Sequence, residues 1–178
     1  MAIVVDINAK KEYEKLSEGV HVGVLADIVD LGIQPSQYGD KHKVRFVWLT
    51  DEEDSEGYTK RAFETFTLSP QCLTHEKAGL RKRLEPIAKE NKIVLPTSGK
   101  FDLDVFIGVN RQLVIQHNEN AKGDVFANVS STLPLKPGMQ KISIPADFKR
   151  KEGAATKSSK PAPKPVTPAP VEDEDIPF

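Results

Sequence analysis

The side chains able to do covalent or metal chemistry are few and scattered. Four histidines (His21, His42, His75, His117) and one cysteine (Cys72) are the only nitrogen and sulfur ligands of that kind. His75-Glu76 lacks the second histidine, one helical turn on, that a zinc-binding helix supplies. Gly79, Gly99 and Gly108 are isolated, and no Gly-Lys-Ser/Thr follows a strand, so there is no phosphate-cradling loop. The acidic run Asp51, Glu52, Glu53, Asp54 and Glu56 lacks the spaced oxygen ligands and central glycine of a calcium loop, and reads as a solvated hairpin tip. These residues point to a non-enzymatic protein with no metal and no cofactor. A different chemistry stands at the other end, in Asp173, Glu174, Asp175, Ile176, Pro177 and Phe178. An aromatic side chain with a free carboxylate can fill a partner's apolar pocket while an Arg or Lys pairs with the carboxylate. Pro177 restricts the chain beforehand and so lowers the entropy lost on docking.

The elements that must position these groups fit within 178 residues, of which 38% are apolar. That is enough for one modest core. Residues 20–31 alternate Val20, Val22, Val24, Ala26 and Ile28 on one side, which predicts a long strand. Residues 42–50 place Val44, Phe46 and Trp48 on one face and Lys43 and Arg45 on the other. The alternation resumes from Tyr58 to Leu68 beyond the acidic loop. At Ser69 the period changes: Leu73, Leu80, Leu84 and Ile87 share an arc at 3.6 residues per turn. The spacing predicts a helix with Ser69 as its cap and Pro70 at its first position, ended or kinked at Pro86. Gln112–His117 and Asp124–Leu133 alternate again around Asn118, Asn120 and Gly123, as a closing hairpin does. The order strand, strand, strand, helix, strand, strand is that of the OB-fold. The expectation is therefore a mainly β protein: a five-stranded Greek-key barrel with one helix between strands three and four. Another small antiparallel barrel or an open α+β sheet is the alternative. The stretch Lys10–Leu16 is compatible with one or two helical turns.

Composition divides the chain. Residues 1–148 carry 19 basic and 21 acidic side chains, residues 149–171 carry six and one, and residues 172–178 carry four acids. Five prolines between Pro161 and Pro170, with Val166 and Val171 as the only larger aliphatic residues over 149–171, leave too little surface to bury against the entropy of ordering. This predicts a domain over 1–148, a disordered basic linker over 149–171 and an acidic partner-binding tip over 172–178. No apolar run approaches the roughly 20 residues needed to cross a bilayer. Met1–Asp6 lack the basic start of a secretory signal, and the single cysteine suits a reducing compartment, so the expected location is cytoplasmic.

The ending DEDIPF resembles the acidic tip of bacterial and phage single-stranded DNA-binding proteins, in which an OB-fold domain, a disordered linker and such a tip follow in this order. The stretches GVLADIVDLG, HKVRFVWLTDE, LTHEKAGLRKRLE and FDLDVFIGVNRQLVIQHN are similar to phage-encoded members with a compact OB-fold. The N-terminal strand sequence of the housekeeping bacterial protein is missing. The resemblance implies sequence-tolerant coating of single-stranded DNA in replication, recombination and repair. It also implies recruitment of partner enzymes through Asp173–Phe178, in a bacterial cell or phage-infected host. Unpaired strands offer phosphates to cations and bases to aromatic rings. On the strand-two and strand-three face, Lys43, Arg45, Tyr58, Lys60, Arg61 and Phe63 are the candidate contacts, with Trp48 and Phe126 as further stacking rings. A small barrel offers few contacts per strand, which favours a homo-oligomer. Two alternatives stay open. One is an adaptor that competes for host tip-binding pockets without binding DNA; the other is an OB-fold nuclease or annealing enzyme.

Overall fold

The computed structural model describes residues 14–151. Its elements are β1 (Gly19–Gln34), β2 (Lys41–Glu53), β3 (Thr59–Leu68), α1 (Gly79–Glu90), a 3₁₀ turn over Leu103–Phe106, β4 (Asn110–Glu119) and β5 (Val125–Leu133). All five strands pair antiparallel in one sheet ordered β3-β2-β1-β4-β5. The hydrogen-bonded ladder does not close between β3 and β5, although Cα atoms of these two edge strands come within 8 Å of one another. The expected basic linker from Glu152 onward, the acidic tip and most of the Lys10–Leu16 stretch lie outside the described residues.

β1 is long because it serves two partners. Residues 19–24 pair with β4 and residues 23–34 with β2. At the crossover sits Gly23, where a Cβ would lie 2.5 Å from Leu113 Cδ1. Only glycine lets β1 and β4 approach that closely. A register shift between Leu25 and Asp27 then bulges the strand and re-aims it along β2. The β4–β5 hairpin is the one the turn residues imply, with Gly123 at φ 84° donating to the Asn120 carbonyl.

The alternating apolar residues of β2 and β3 face α1. Phe46, Trp48, Leu84, Ile87, Phe106 and Leu113 are the centre of the main core, and Phe46 and Phe66 meet edge to face at 5.0 Å. Inside this core lies a carboxylate. Glu64 accepts from Trp48 Nε1 at 3.0 Å and pairs with Arg83 of α1 at 2.5 Å. Burial pushes the Glu64 carboxyl up, against the pull of Arg83 and the Trp48 donor. A second tie joins Arg111 of β4 to Glu90 at the far end of the helix.

Two expectations about the helix need correction. α1 begins at Gly79, capped by Ala78 in an extended conformation, and Ser69 and Pro70 instead open a run of turns closed by the Cys72 N–H to the Ser69 carbonyl at 3.0 Å. Leu73 reaches the core from those turns, so its agreement with helical spacing was a coincidence of burial. Pro86 lies inside α1 and does not end it, since the helix continues to Glu90. The lost amide bond is offset by the burial of Leu84, Ile87 and Ala88 around it.

Beyond β5 the chain runs without regular structure to Lys151 and forms a strap across the outer side of the sheet. Asn110 holds it like a backbone surrogate, donating to the Ile142 carbonyl at 3.0 Å and accepting from the Ile142 N–H at 2.7 Å. Ile142, Ile144 and Phe148 cover Val24, Ala26 and Leu49 in a second, smaller core. The contacts run past Phe148, the boundary suggested by composition. Arg150 donates to Asp27 at 2.8 Å and grips both oxygens of Asp104 at 2.9 and 3.0 Å, while the Lys151 N–H donates to Asp27 at 2.7 Å. Asp27 is 1% exposed, so these donors are what makes its burial tolerable. No helix among the described residues is long and apolar enough to cross a membrane.

Arg83→Ala leaves Glu64 buried without its cation and is expected to cost about 3–5 kcal/mol in urea unfolding. Replacing Glu64 and Arg83 together by leucine recovers most of that loss. A double variant as unstable as Arg83→Ala would show that the ion pair itself, and not the orphaned charge, carries the energy.

Candidate nucleic-acid interface

Direct cross-strand partners share a face, so the register assigns the outer surface residue by residue. Across β1, β2 and β3 the outward rows are Gly32, Lys43 and Thr67; Val29, Arg45 and Thr65; Asp27, Val47 and Phe63; and Val24, Leu49 and Arg61. The strap covers Val24 and Leu49 of the last row and binds Asp27 of the third. Arg45, Thr65, Thr67 and the β3 edge stay exposed, Gly32 and Lys43 partly so, while Val29 is buried.

On that open part Arg45 lies over the Phe63 ring at 5.8 Å, and Phe63 is 48% exposed. Lys41 and Lys43 project from β2 on the side of Arg45. Lys41 lies over the ring of Tyr38 at 5.6 Å, in the β1–β2 turn, where Tyr38 is 80% exposed. Among the described residues none of Lys41, Lys43 and Arg45 has an ion-pair partner. The surface can therefore offer cations to phosphates and ring faces to bases. Tyr38 and Lys41 were not singled out from the sequence. The available signal was an aromatic side chain in a short Pro-Ser-Gln-Tyr-Gly turn, where it has nothing to pack against.

The other candidates divide. Trp48 is a correction: it is 0% exposed, and its ring belongs to the Glu64 network, so it presents no face to a base. Lys60 is also removed from the surface group. Its ammonium donates to Glu52 at 2.6 Å and to the Lys15 carbonyl at 3.0 Å, which fastens the segment before β1 to the β2–β3 hairpin. Tyr58 is exposed but sits in that hairpin's turn, where its N–H donates to Asp54, among the acids of the loop. Like charge there opposes a phosphate. Phe126 is 52% exposed on β5, opposite Asn118, and is not part of the Lys43–Arg45–Phe63 group. Arg61 is exposed, with Phe148 beneath its guanidinium at 5.4 Å.

The charge along β2 is polarised, with Lys41, Lys43 and Arg45 towards one end and Asp51, Glu52 and Glu53 at the other. Six residues from Arg45 to Asp51 span about 20 Å, beyond the ~8 Å screening length at physiological salt. The acidic hairpin consequently does not cancel the field at the platform. Asp51, Glu52 and Asp54 are themselves engaged. Burial opposes the charge on Glu52, but hydrogen bonds from Lys60 and Ser17 outweigh it and hold the carboxyl at about 2.

The histidines serve the fold separately. His21 donates to the Ser17 carbonyl, His42 pairs with Asp30 at 2.6 Å, His75 accepts from the Lys77 N–H, and His117 donates to the Leu16 carbonyl. Among the described residues no group of three or more His, Cys, Asp or Glu side chains could hold a metal ion. A cavity of about 420 Å³ between the Ser69–Thr74 turns and the Pro96–Leu103 loop is lined by no carboxylate, imidazole or ammonium. No protein-family model matches the chain, and no curated protein matches its sequence.

Because Glu52 titrates at about 2 in the fold against an ordinary value of 4.5, its contribution is complete above 4.5 and lost as pH falls towards 2. Thermal melting of wild type and Glu52→Gln should therefore differ at pH 6 and converge between about pH 4.5 and 2. A constant difference across that window would refute the linkage.

Proposed function

We propose that the protein is a non-enzymatic, sequence-tolerant single-stranded DNA-binding protein of phage or bacterial replication, recombination and repair. The five strands and α1 are read as an OB-fold barrel. Supporting this are the order β3-β2-β1-β4-β5, the position of α1 between β3 and β4, and the approach of the two edge strands. In that architecture the strand-two and strand-three face is a ligand platform. The observation that carries the reading is the row of cations Lys41, Lys43 and Arg45, without ion-pair partners among the described residues, beside the exposed rings of Phe63 and Tyr38. Cations alone would serve a duplex as well. Exposed rings on a sheet face favour unstacked bases, each worth about 1–3 kcal/mol.

The acidic tip Asp173–Phe178 completes the proposal on sequence resemblance alone, as the element that recruits partner enzymes in the cytoplasm. Self-association would multiply the contacts each protein array makes with one strand.

Titration of a labelled oligothymidine and of a matched duplex, at several salt concentrations, tests the reading. The single strand is expected to bind more tightly. Phe63→Ala should weaken it by about 1–3 kcal/mol, and Lys43→Ala should lower the salt slope by about 0.7. Equal affinity for strand and duplex, or no oligonucleotide binding at all, would refute it; the latter, with tip-dependent capture of repair enzymes, would select an adaptor.

A further inference from the structure

The strap does more than cover apolar surface. Phe148 lies on Val24 and Leu49, and Leu49 is the direct β2 partner of Arg61. The strap therefore brings an aromatic ring from 87 residues downstream beneath an exposed guanidinium on β3. The result repeats the neighbouring arrangement, in which Arg45 lies over Phe63. Arg61 and Phe63 are two residues apart on the same face of β3. Their separation along the strand is about 6.8 Å, twice the ~3.4 Å between stacked nucleotides of one DNA strand. Two bases held at these two places must be unstacked from each other, which an unpaired strand allows and a duplex resists.

We propose that the strap supplies part of the binding site for single-stranded DNA. Phe148 is a positioning residue that holds the Arg61 guanidinium flat as a ledge for a base and its phosphate, next to the Arg45–Phe63 pair. An arginine whose plane is already fixed loses less entropy on contact, and guanidinium planes accept stacked bases. Arg150 keeps the ring in place through its bonds to Asp27 and Asp104. This inference rests on the outer face being the single-strand platform.

The test titrates labelled oligothymidine into the full chain, comparing wild type with Phe148→Leu, Phe148→Tyr, Arg61→Lys, the Phe148→Leu/Arg61→Lys double variant and Arg45→Ala. Leucine keeps the apolar cover of Val24 and Leu49 but removes the ring; lysine keeps the exposed charge but removes the plane. Phe148→Leu and Arg61→Lys should each weaken binding about five- to fiftyfold. The double variant should be no weaker than the worse single by more than about twofold, since the two act as one unit. Phe148→Tyr should bind within about twofold of wild type, because its ring remains. Melting curves of the leucine and tyrosine variants separate a folding defect from a lost ledge. Wild-type affinity or tighter binding by Phe148→Leu, equal losses in the leucine and tyrosine variants, or additive losses in the double variant would each overturn the proposal. If Arg45→Ala weakens binding while Phe148→Leu does not, only the strap's role fails. If wild type does not bind, the platform reading fails and the strap's role falls with it.

Discussion

The architecture depends on one buried carboxylate. Glu64 is taken out of water on the inner face of β3, and its charge is tolerable only because Trp48 donates to one oxygen and Arg83 pairs with the other. A carboxylate in such a place admits few alternatives, since a one-residue slip of β3 against β2 would turn Glu64 outward and bury Arg61, Phe63 and Thr65 in its stead. The same interaction fixes α1 against the sheet at its middle, and Arg111 with Glu90 fixes it near its end. Register, helix position and the identity of the outer face are thus set together.

From that register comes the separation of labour on the outer face. Lys43, Arg45, Phe63 and Arg61 all point away from the Glu64 side, in adjacent rows. Half of the face is then closed by the strap, whose attachment is polar as much as apolar: Asn110 mimics a backbone partner, and Asp27, buried at the β1 bulge, requires Arg150 and the Lys151 N–H. The platform left open is narrow, bounded by the β1–β2 turn on one side and the strap on the other. The domain's formal charge says little about such a surface. What matters is that the acids of β2 lie at its far end, where Glu52 is bonded to Lys60 and Ser17 and Asp51 to His21, while the cations at the near end have no ion-pair partner among the described residues.

Much of this was legible residue by residue. The alternation of Val44, Phe46 and Trp48 against Lys43 and Arg45 is a period-two signal, and it sorts these residues onto two faces because strands impose that period on any half-buried sheet, but only the register and the packing of α1 show which face is outer. Helix existence was legible from Leu80, Leu84 and Ile87, but not its start. Ser69 and Pro70 suit a helix entry and a turn equally well, and only the packing of Leu73 and Leu80 decides between them.

Local pattern thus determined the number and order of the elements and which β2 residues share a face, because strand and helix periods are properties of the chain itself. Tertiary structure decided that Trp48 is a core donor instead of a stacking ring, that Lys60 is spent on Glu52 and the Lys15 carbonyl, and that Phe148 lies under Arg61. Each of those depends on partners between 8 and 87 residues away. No local rule ranks such pairings, because their energies come from burial and charge compensation that exist only once distant segments meet.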